Sequence, residues 1–387
     1  MAPASYTTYR VRGIPARLSK DDVKVLIEKA LTERATSCDS GTHVEVLVKS
    51  LAIDLASPDE SVATVSFKNS VETLLEPNEA NEWDIDTYDE ITLLFDTHFY
   101  GCTTLHCPPK EDWRCDLIAI SGLNGHAFGS FKKKNGPYMW LRDDLPKKLP
   151  GIRVIVYGYD TKLEGSRSFQ NISDIGMKFQ SAIRVVRRPD PAKPLLLLGH
   201  SLGGIVIKEA IHMVRSSQKD TDRMNFEAIS GIMFFGVPNQ GMDIKSLIPI
   251  VGDQVNRGFL HTLEHSSSML RTQAAQFSED TDKLQCDILN FFETQESPTA
   301  ERKEDGKWSM TGPPAVLVNA YSATHGRLDD AGSHQVYPVN RTHSDLVKFG
   351  NPHDETYTKV LDFLRLAKAK PKAILPDLQQ NEYFNSI

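Results

Sequence analysis

Two hydrophobic patterns divide the chain. Up to about residue 100, apolar positions alternate with polar ones or recur at helical spacing. Residues 8–14 (TYRVRGI) have strand composition. Ser19, with Asp22 three residues later, forms a capping box. It opens a helical series of Val23, Leu26, Ile27, Ala30 and Leu31. Residues 44–53 and the alternating run 62–67 read as strands, a short helix is expected near 71–75, and residues 91–95 (ITLLF) close the set. The order β-α-β-β-α-β predicts a small α+β ferredoxin-like domain over residues 1–100.

After a connector at 101–113 that contains Pro108-Pro109, the pattern changes. Residues 116–121 (DLIAIS), 153–158 (RVIVYG), 194–199 (PLLLLG), 231–236 (GIMFFG), 315–320 (AVLVNA) and 335–340 (QVYPVN) are short apolar runs. Runs that do not alternate suit strands covered on both faces. Ile172, Ile175, Phe179, Ile183 and Val186 recur at helical spacing between two of them, and 202–214 reads as a second helix. This alternation predicts a doubly wound, mainly parallel sheet over 114–370. The polar stretch at about 266–310 is expected to be an insertion or cap, and 371–387 a tail.

Composition narrows the function classes. With 387 residues, 40% hydrophobic and 25% charged, the chain falls in the globular range. No apolar run approaches the length of a membrane span. The first twenty residues lack the apolar core of a secretory signal. They carry three arginines and no acid, as a weak mitochondrial presequence would, but read better as a strand entering a helix. The net charge of −7 is the wrong sign for a dominant nucleic-acid surface. The basic clusters 132–134 and 184–188 read as solvated surface. The β-α-β-β-α-β order is shared with RNA-recognition modules, whose central strands stack bases on aromatic rings. Here those positions hold Arg10, Val62 and Thr64, and Phe67 reads as core, so docking of a protein partner or a structural role is the better reading. Five cysteines without a signal point to a reducing compartment. Cys102, His106, Cys107 and Cys115 match no standard zinc spacing, so neither metal nor cofactor is expected.

The strongest chemical signal is Gly199-His200-Ser201-Leu202-Gly203. It follows an apolar strand and opens a helix, the setting of a nucleophile elbow. Ser201 is therefore the expected nucleophile. A serine hydroxyl needs a base, and in this arrangement the histidine comes last in the chain. Of His325, His334, His343 and His353, His343 follows the final strand by two residues and is the expected base. The acid should follow the run 315–320, whose tip holds Asn319 and no carboxylate. The next loop offers Asp329 and Asp330, of which Asp330 is favoured, with Asp243 as an alternative one strand earlier. Oxyanion donors are expected from the amide of Leu202 and, after 116–121, from that of Leu123.

The stretches ISGLNGHAFGSFK, YMWLRDDLP, VYGYDTKL, LLLLGHSLGGIVIKEAI, GIMFFGVPNQGMD and NRTHSDLVKF together resemble the α/β-hydrolases of the serine-active-site-containing protein family, fungal type, which are related to the GPI inositol-deacylase-like lipases. The resemblance covers about residues 90–365. It implies an α/β-hydrolase fold and a serine esterase or lipase acting on an acyl lipid or ester, with Ser201 as nucleophile and His343 as base. It also implies peripheral membrane contact, and it adds mitochondrial or endoplasmic-reticulum association to a cytoplasmic default. Two positions depart from the family: Ser121-Gly122 stands where His-Gly is common, and Asn319 or Ala320 falls where the acid is often Asp or Glu. The second departure admits a rival reading, a catalytically impaired hydrolase shell serving as an interaction scaffold.

Overall fold

The computed structural model describes residues 7–34, 44–69, 71–74, 80–245, 247–265, 267–284, 286–325, 332 and 334–369. The alternating first section folds into five antiparallel strands. They are β1 (Tyr9–Pro15), β2 (Val46–Ile53), β3 (Glu60–Phe67), β4 (Glu82–Asp86) and β5 (Thr92–Asp96), in the sheet order β2-β3-β1-β5-β4. One face buries Val11, Val46, Val65, Leu93 and Phe95 against Val23, Ile27, Ala30 and Leu31 of the helix Lys20–Arg34. The capping box is present: Asp22 N donates to Ser19 Oγ at 3.3 Å, and Ser19 N to Asp22 Oδ2 at 2.9 Å. The expected second helix is a single 3-10 turn, Glu72–Leu74, and β4 is an extra edge strand paired with β5.

The opposite face of this sheet is polar and equally buried. Arg10, Ser50, Thr64 and Asp96 are each less than 5% exposed. Their cover is β6 (Gly101–His106), an edge strand of the second sheet. Arg10 Nε donates to Asp96 Oδ2 at 2.7 Å, and its Nη1 donates to Thr103 Oγ1 at 2.9 Å and to the Tyr100 carbonyl at 2.8 Å. The face on which RNA-recognition modules stack bases is thus packed against the rest of the chain, and Phe67 lies with the apolar core, edge-on to Tyr9.

The second section builds a seven-stranded sheet. After β6 come β7 (Cys115–Ile120), β8 (Ile152–Gly158), β9 (Leu195–His200), β10 (Ile229–Phe235) and β11 (Asp287–Glu293). A separate hairpin, β12 (Ser297–Arg302) and β13 (Trp308–Ala315), precedes the last strand, β14 (His334–Val339). The order is β14-β11-β10-β9-β7-β8-β6, parallel throughout except that β6 runs antiparallel to β8. The continuous apolar runs are explained by cover on both faces. Leu195 and Leu197 of β9 face the helices Ile172–Val186 and Leu202–Ser216, while Leu196 and Leu198 face Trp140, Val360 and Phe363. The helix Ile172–Val186 starts at a capping box, Asn171 with Asp174.

Four expectations need correction. The connector 101–113 contains β6, and Phe99 just before it is fully buried among hydrolase-sheet residues. The polar stretch 266–310 contains β11, a central strand, whose Asn290 is buried and donates to the Gln335 carbonyl at 3.3 Å. The run 315–320 is not a sheet strand. It leaves the hairpin at Ala315, and Asn319 accepts from Ser322 N at 2.8 Å to cap the short helix Ala320–Ala323. Arg187, read as solvated, is fully buried, where it bonds Asp116, Asn225 Oδ1 and the Pro191 carbonyl. A guanidinium with that many acceptors tolerates burial that a lone charge would not.

Candidate active site

The elbow begins where β9 ends. Ser201 has φ 53° and ψ −126°, a backbone conformation that costs a non-glycine residue on the order of 1–3 kcal/mol. Two hydrogen bonds hold it: Ser201 N donates to the Phe235 carbonyl at 2.8 Å, and Gly204 N to the Ser201 carbonyl at 3.0 Å. Gly203 is required by the approach of β7, since a Cβ there would lie 2.6 Å from the Ile120 and Ser121 carbonyl oxygens. Leu202 is the first residue of the helix Leu202–Ser216, where amides have no intrahelical acceptor.

His343 begins a 3-10 turn, His343–Asp345, just after β14. Its ring lies 5.1 Å from that of His200, the residue before Ser201. Nδ1 is 2.9 Å from Oε1 of Glu293, and both side chains are buried. The carboxylate accepts, so Nδ1 carries the proton and Nε2 the lone pair. Nε2 is buried and has no hydrogen-bond partner among the described residues. Glu293 Oε1 also accepts from Val318 N at 3.0 Å.

Glu293 is the last residue of β11, one strand before the histidine's, and the sequence reading did not put it forward. The run 315–320, after which the acid is expected, is not a strand of the sheet, and β11 is the strand that pairs with β14. The available signal is the short run 288–292 (ILNFF), apolar but for Asn290 and closed by a glutamate. Asp329 and Asp330 lie outside the described residues. Asp243 serves its own turn, accepting from Lys245 N at 2.9 Å. Of the other late histidines, His325 bonds Lys208, His334 opens β14, and His353 N donates to Asn351 Oδ1.

The expected oxyanion loop lies at the tip of β7. Gly125 N donates to the Gly122 carbonyl at 3.0 Å, and Asn124, at φ 51°, donates its N–H to Thr161 Oγ1 at 3.0 Å. Tyr159 Oη donates to the Ser121 carbonyl at 2.8 Å. Gly122 faces Ser201: a Cβ there would stand 2.6 Å from Ser201 Cβ and 3.2 Å from Ser201 Oγ. Leu123 borders a small cleft whose walls include Leu163, Ile175, Asn256 and Phe259. Behind the loop, His126 Nε2 donates to the Thr97 carbonyl at the end of the first domain, while its Nδ1 accepts from Gly129 N at 2.8 Å.

The strand order with its one antiparallel edge, the strand–turn–helix at Ser201 and the histidine turn after the last strand define an α/β-hydrolase fold. No family model matches the chain, and no curated protein matches it in sequence. Among solved structures it is similar to the mature lipase BlEst2 of Bacillus licheniformis (14% identity, TM-score 0.42, covering 67% of this chain and 97% of that one). It is also similar to YbtT, a type II thioesterase of the yersiniabactin pathway (13% identity, TM-score 0.38, covering 69% and 99%). A third similarity is to the phospholipase PlaB of Legionella pneumophila (16% identity, TM-score 0.34, covering 47% and 38%). Among the described residues no helix is long and apolar enough to cross a membrane, and no cluster of three or more His, Cys, Asp or Glu could hold a metal ion.

Proposed function

We infer that the chain is a serine hydrolase of carboxylic esters, with Ser201 as nucleophile, His343 as base and Glu293 as the acid. One observation carries this reading. A buried carboxylate at a strand tip accepts from Nδ1 of the late histidine and leaves the Nε2 lone pair unused, in a ring 5.1 Å from that of His200, the residue before Ser201. Ser201 Oγ attacks the acyl carbon as its proton passes to His343 Nε2. The charge on the carbonyl oxygen is met by the amides of Leu202 and Leu123. Collapse releases the alcohol, which takes the proton from Nε2–H. Water then repeats the sequence on the acyl-enzyme and frees the acid and Ser201. Glu293 holds the tautomer and steadies the imidazolium. An impaired scaffold is argued from a missing strand-tip carboxylate and from the extra N-terminal domain, and Glu293 at the tip of β11 answers the first of these.

The substrate proposed is an acyl lipid or related ester, on the strength of the family resemblance and the partly apolar cleft beside Leu123. Two measurements test the reading: labelling by a fluorophosphonate probe with peptide mapping, and hydrolysis of short-chain p-nitrophenyl esters. The expected result is a single adduct on Ser201 and turnover that Ser201→Ala abolishes. Folded protein that neither labels nor turns over ester faster than Ser201→Ala overturns it.

A further inference from the structure

His343 sits on a 3-10 turn in which Asp345 N donates to the Thr342 carbonyl at 3.0 Å. Within His343–Asp345, the bond from Leu346 N to the His343 carbonyl is 3.5 Å, the outer limit for such a contact. A second donor reaches the same carbonyl: Nε2 of His200, at 3.0 Å. On its other side the main-chain N–H of His343 donates to Ser297 Oγ at 2.9 Å. The residue carrying the base is therefore held by side chains at its N–H, at its carbonyl and at Nδ1.

We propose that His200 is a positioning residue for the base: by donating Nε2–H to the main-chain carbonyl of His343, it ties the histidine turn to the strand tip that presents Ser201. The proposal rests on His343 being the base. The two residues come from strands that are not neighbours, β9 and β14, with β10 and β11 between them in the sheet. A tie across that gap fixes the separation of nucleophile and base directly, rather than through the packing of two intervening strands. Misplacement of a catalytic group by ~1 Å can cost about 10²-fold in rate.

The chemistry of His200 suits this role. Its side chain is buried, and its Nδ1 has no hydrogen-bond partner among the described residues, so the ring has one donor and that donor is committed to the carbonyl. The ring packs against that of His343 at an interplanar angle of 39°. Burial above all, and then the neighbouring His343, push its pKa down to about 3. A neutral ring can stand beside an imidazolium that forms and disappears in each turnover, where a second cation would repel it. A serine or alanine at this position would be too short to reach across, whereas a glutamine could offer an N–H at similar length.

The test compares His200→Leu, which has no donor, with His200→Gln, which restores one, in the full chain. Steady-state ester hydrolysis and the rate of fluorophosphonate labelling of Ser201 are measured alongside a thermal unfolding curve. His200→Leu is expected to lower kcat by about 10–10²-fold with KM within about twofold, and to slow labelling in parallel. His200→Gln is expected to recover most of both losses. Folded His200→Leu with wild-type kcat, or Leu and Gln variants equally impaired, overturns the proposal while leaving the base assignment standing. A wild-type protein that labels nowhere overturns the base assignment and the proposal with it. Nitrogen NMR of the histidine rings in the wild type needs no variant to fold: a neutral His200 protonated at Nε2 supports the proposal, and one protonated at Nδ1 overturns it.

Discussion

Glu293 and His343, fifty residues apart in the chain, meet through a 2.9 Å hydrogen bond beneath the elbow that carries Ser201. The bond joins Glu293, the last residue of β11, to a turn that follows the adjacent parallel strand β14 by four residues. Glu293 Oε1 also accepts from Val318 N, which aims the carboxylate at the ring. The amide group of a glutamine would offer Nδ1 a donor on one side and would relax the tautomer preference. Glu293→Gln is therefore expected to lower kcat by about 10³–10⁴-fold with little change in KM, as loss of the acid does in other triads. Asp330→Asn should stay within about twofold of wild type on the same scale. The check is steady-state ester hydrolysis. The reverse ranking of the two variants would place the acid in the loop.

The approach of Gly122 to Ser201 leads to a second expectation. A methyl group at position 122 would meet Ser201 Cβ at 2.6 Å, and the strained elbow has no slack with which to retreat. The Gly122 loop moves instead, and it carries the amide of Leu123. Gly122→Ala should keep the fold, because the contact lies in the loop beyond the end of β7, yet lose at least about 10²-fold in kcat, the scale of losing one oxyanion donor. Far-ultraviolet circular dichroism together with the acylation rate checks this. Unimpaired acylation would exclude the loop from the reaction.

What could be read from the sequence follows from how each strand is buried. The strands β7, β8, β9 and β10 are apolar at nearly every position because helices cover both faces, so their runs stand out in the chain. The elbow was legible for a related reason: its conformation demands small residues at fixed positions around Ser201. β11 was concealed. It carries Asp287, Asn290 and Glu293, and these polar groups are tolerated through tertiary partners, the Gln335 carbonyl for Asn290 and the Val318 amide and His343 ring for Glu293. The run 315–320 misled for the converse reason. Val318 is buried, but as a loop residue whose amide serves Glu293. The polar face of the first sheet was equally opaque, because the pairing of Arg10 with Asp96 and Thr103 joins residues far apart in the chain.

That face supports a prediction about stability. Arg10 and Asp96 are both buried, so removing the guanidinium leaves a buried carboxylate with the Phe99 N–H at 2.9 Å, Arg12 at 3.5 Å and His98 at 3.6 Å around it. Arg10→Met is expected to destabilise the protein by about 3 kcal/mol, within the range for breaking a buried ion pair from one side. The double variant Arg10→Met/Asp96→Asn should recover part of that loss, because the second change removes the stranded charge. Urea unfolding followed by tryptophan fluorescence measures both, and Trp83, on β4 of the same sheet, reports on the first domain. Simple addition of the two single effects would mean that the pair is not coupled. Ester hydrolysis in the absence of urea should change little, because the bonds of both residues go to the first domain and to β6 and its approach.

The depressed pKa of His200 makes stability depend on pH in a defined direction. The folded state holds the ring neutral down to about 3, against an ordinary value of 6.5, and burial is the main cause. Below 6.5 the unfolded chain binds a proton at this position that the folded chain refuses. Stability contributed by His200 is therefore fully present above 6.5 and declines as pH falls from 6.5 towards 3. Between about pH 7.5 and about pH 5 the decline from this one ring is about 2 kcal/mol. Lys348, Asp345 and His343 also act on the ring and stay in place in a variant at 200. His200→Gln should therefore lose about 2 kcal/mol less than wild type over the same interval. Urea midpoints for both proteins at the two pH values decide the matter, and parallel losses would mean that the folded ring titrates near its ordinary value.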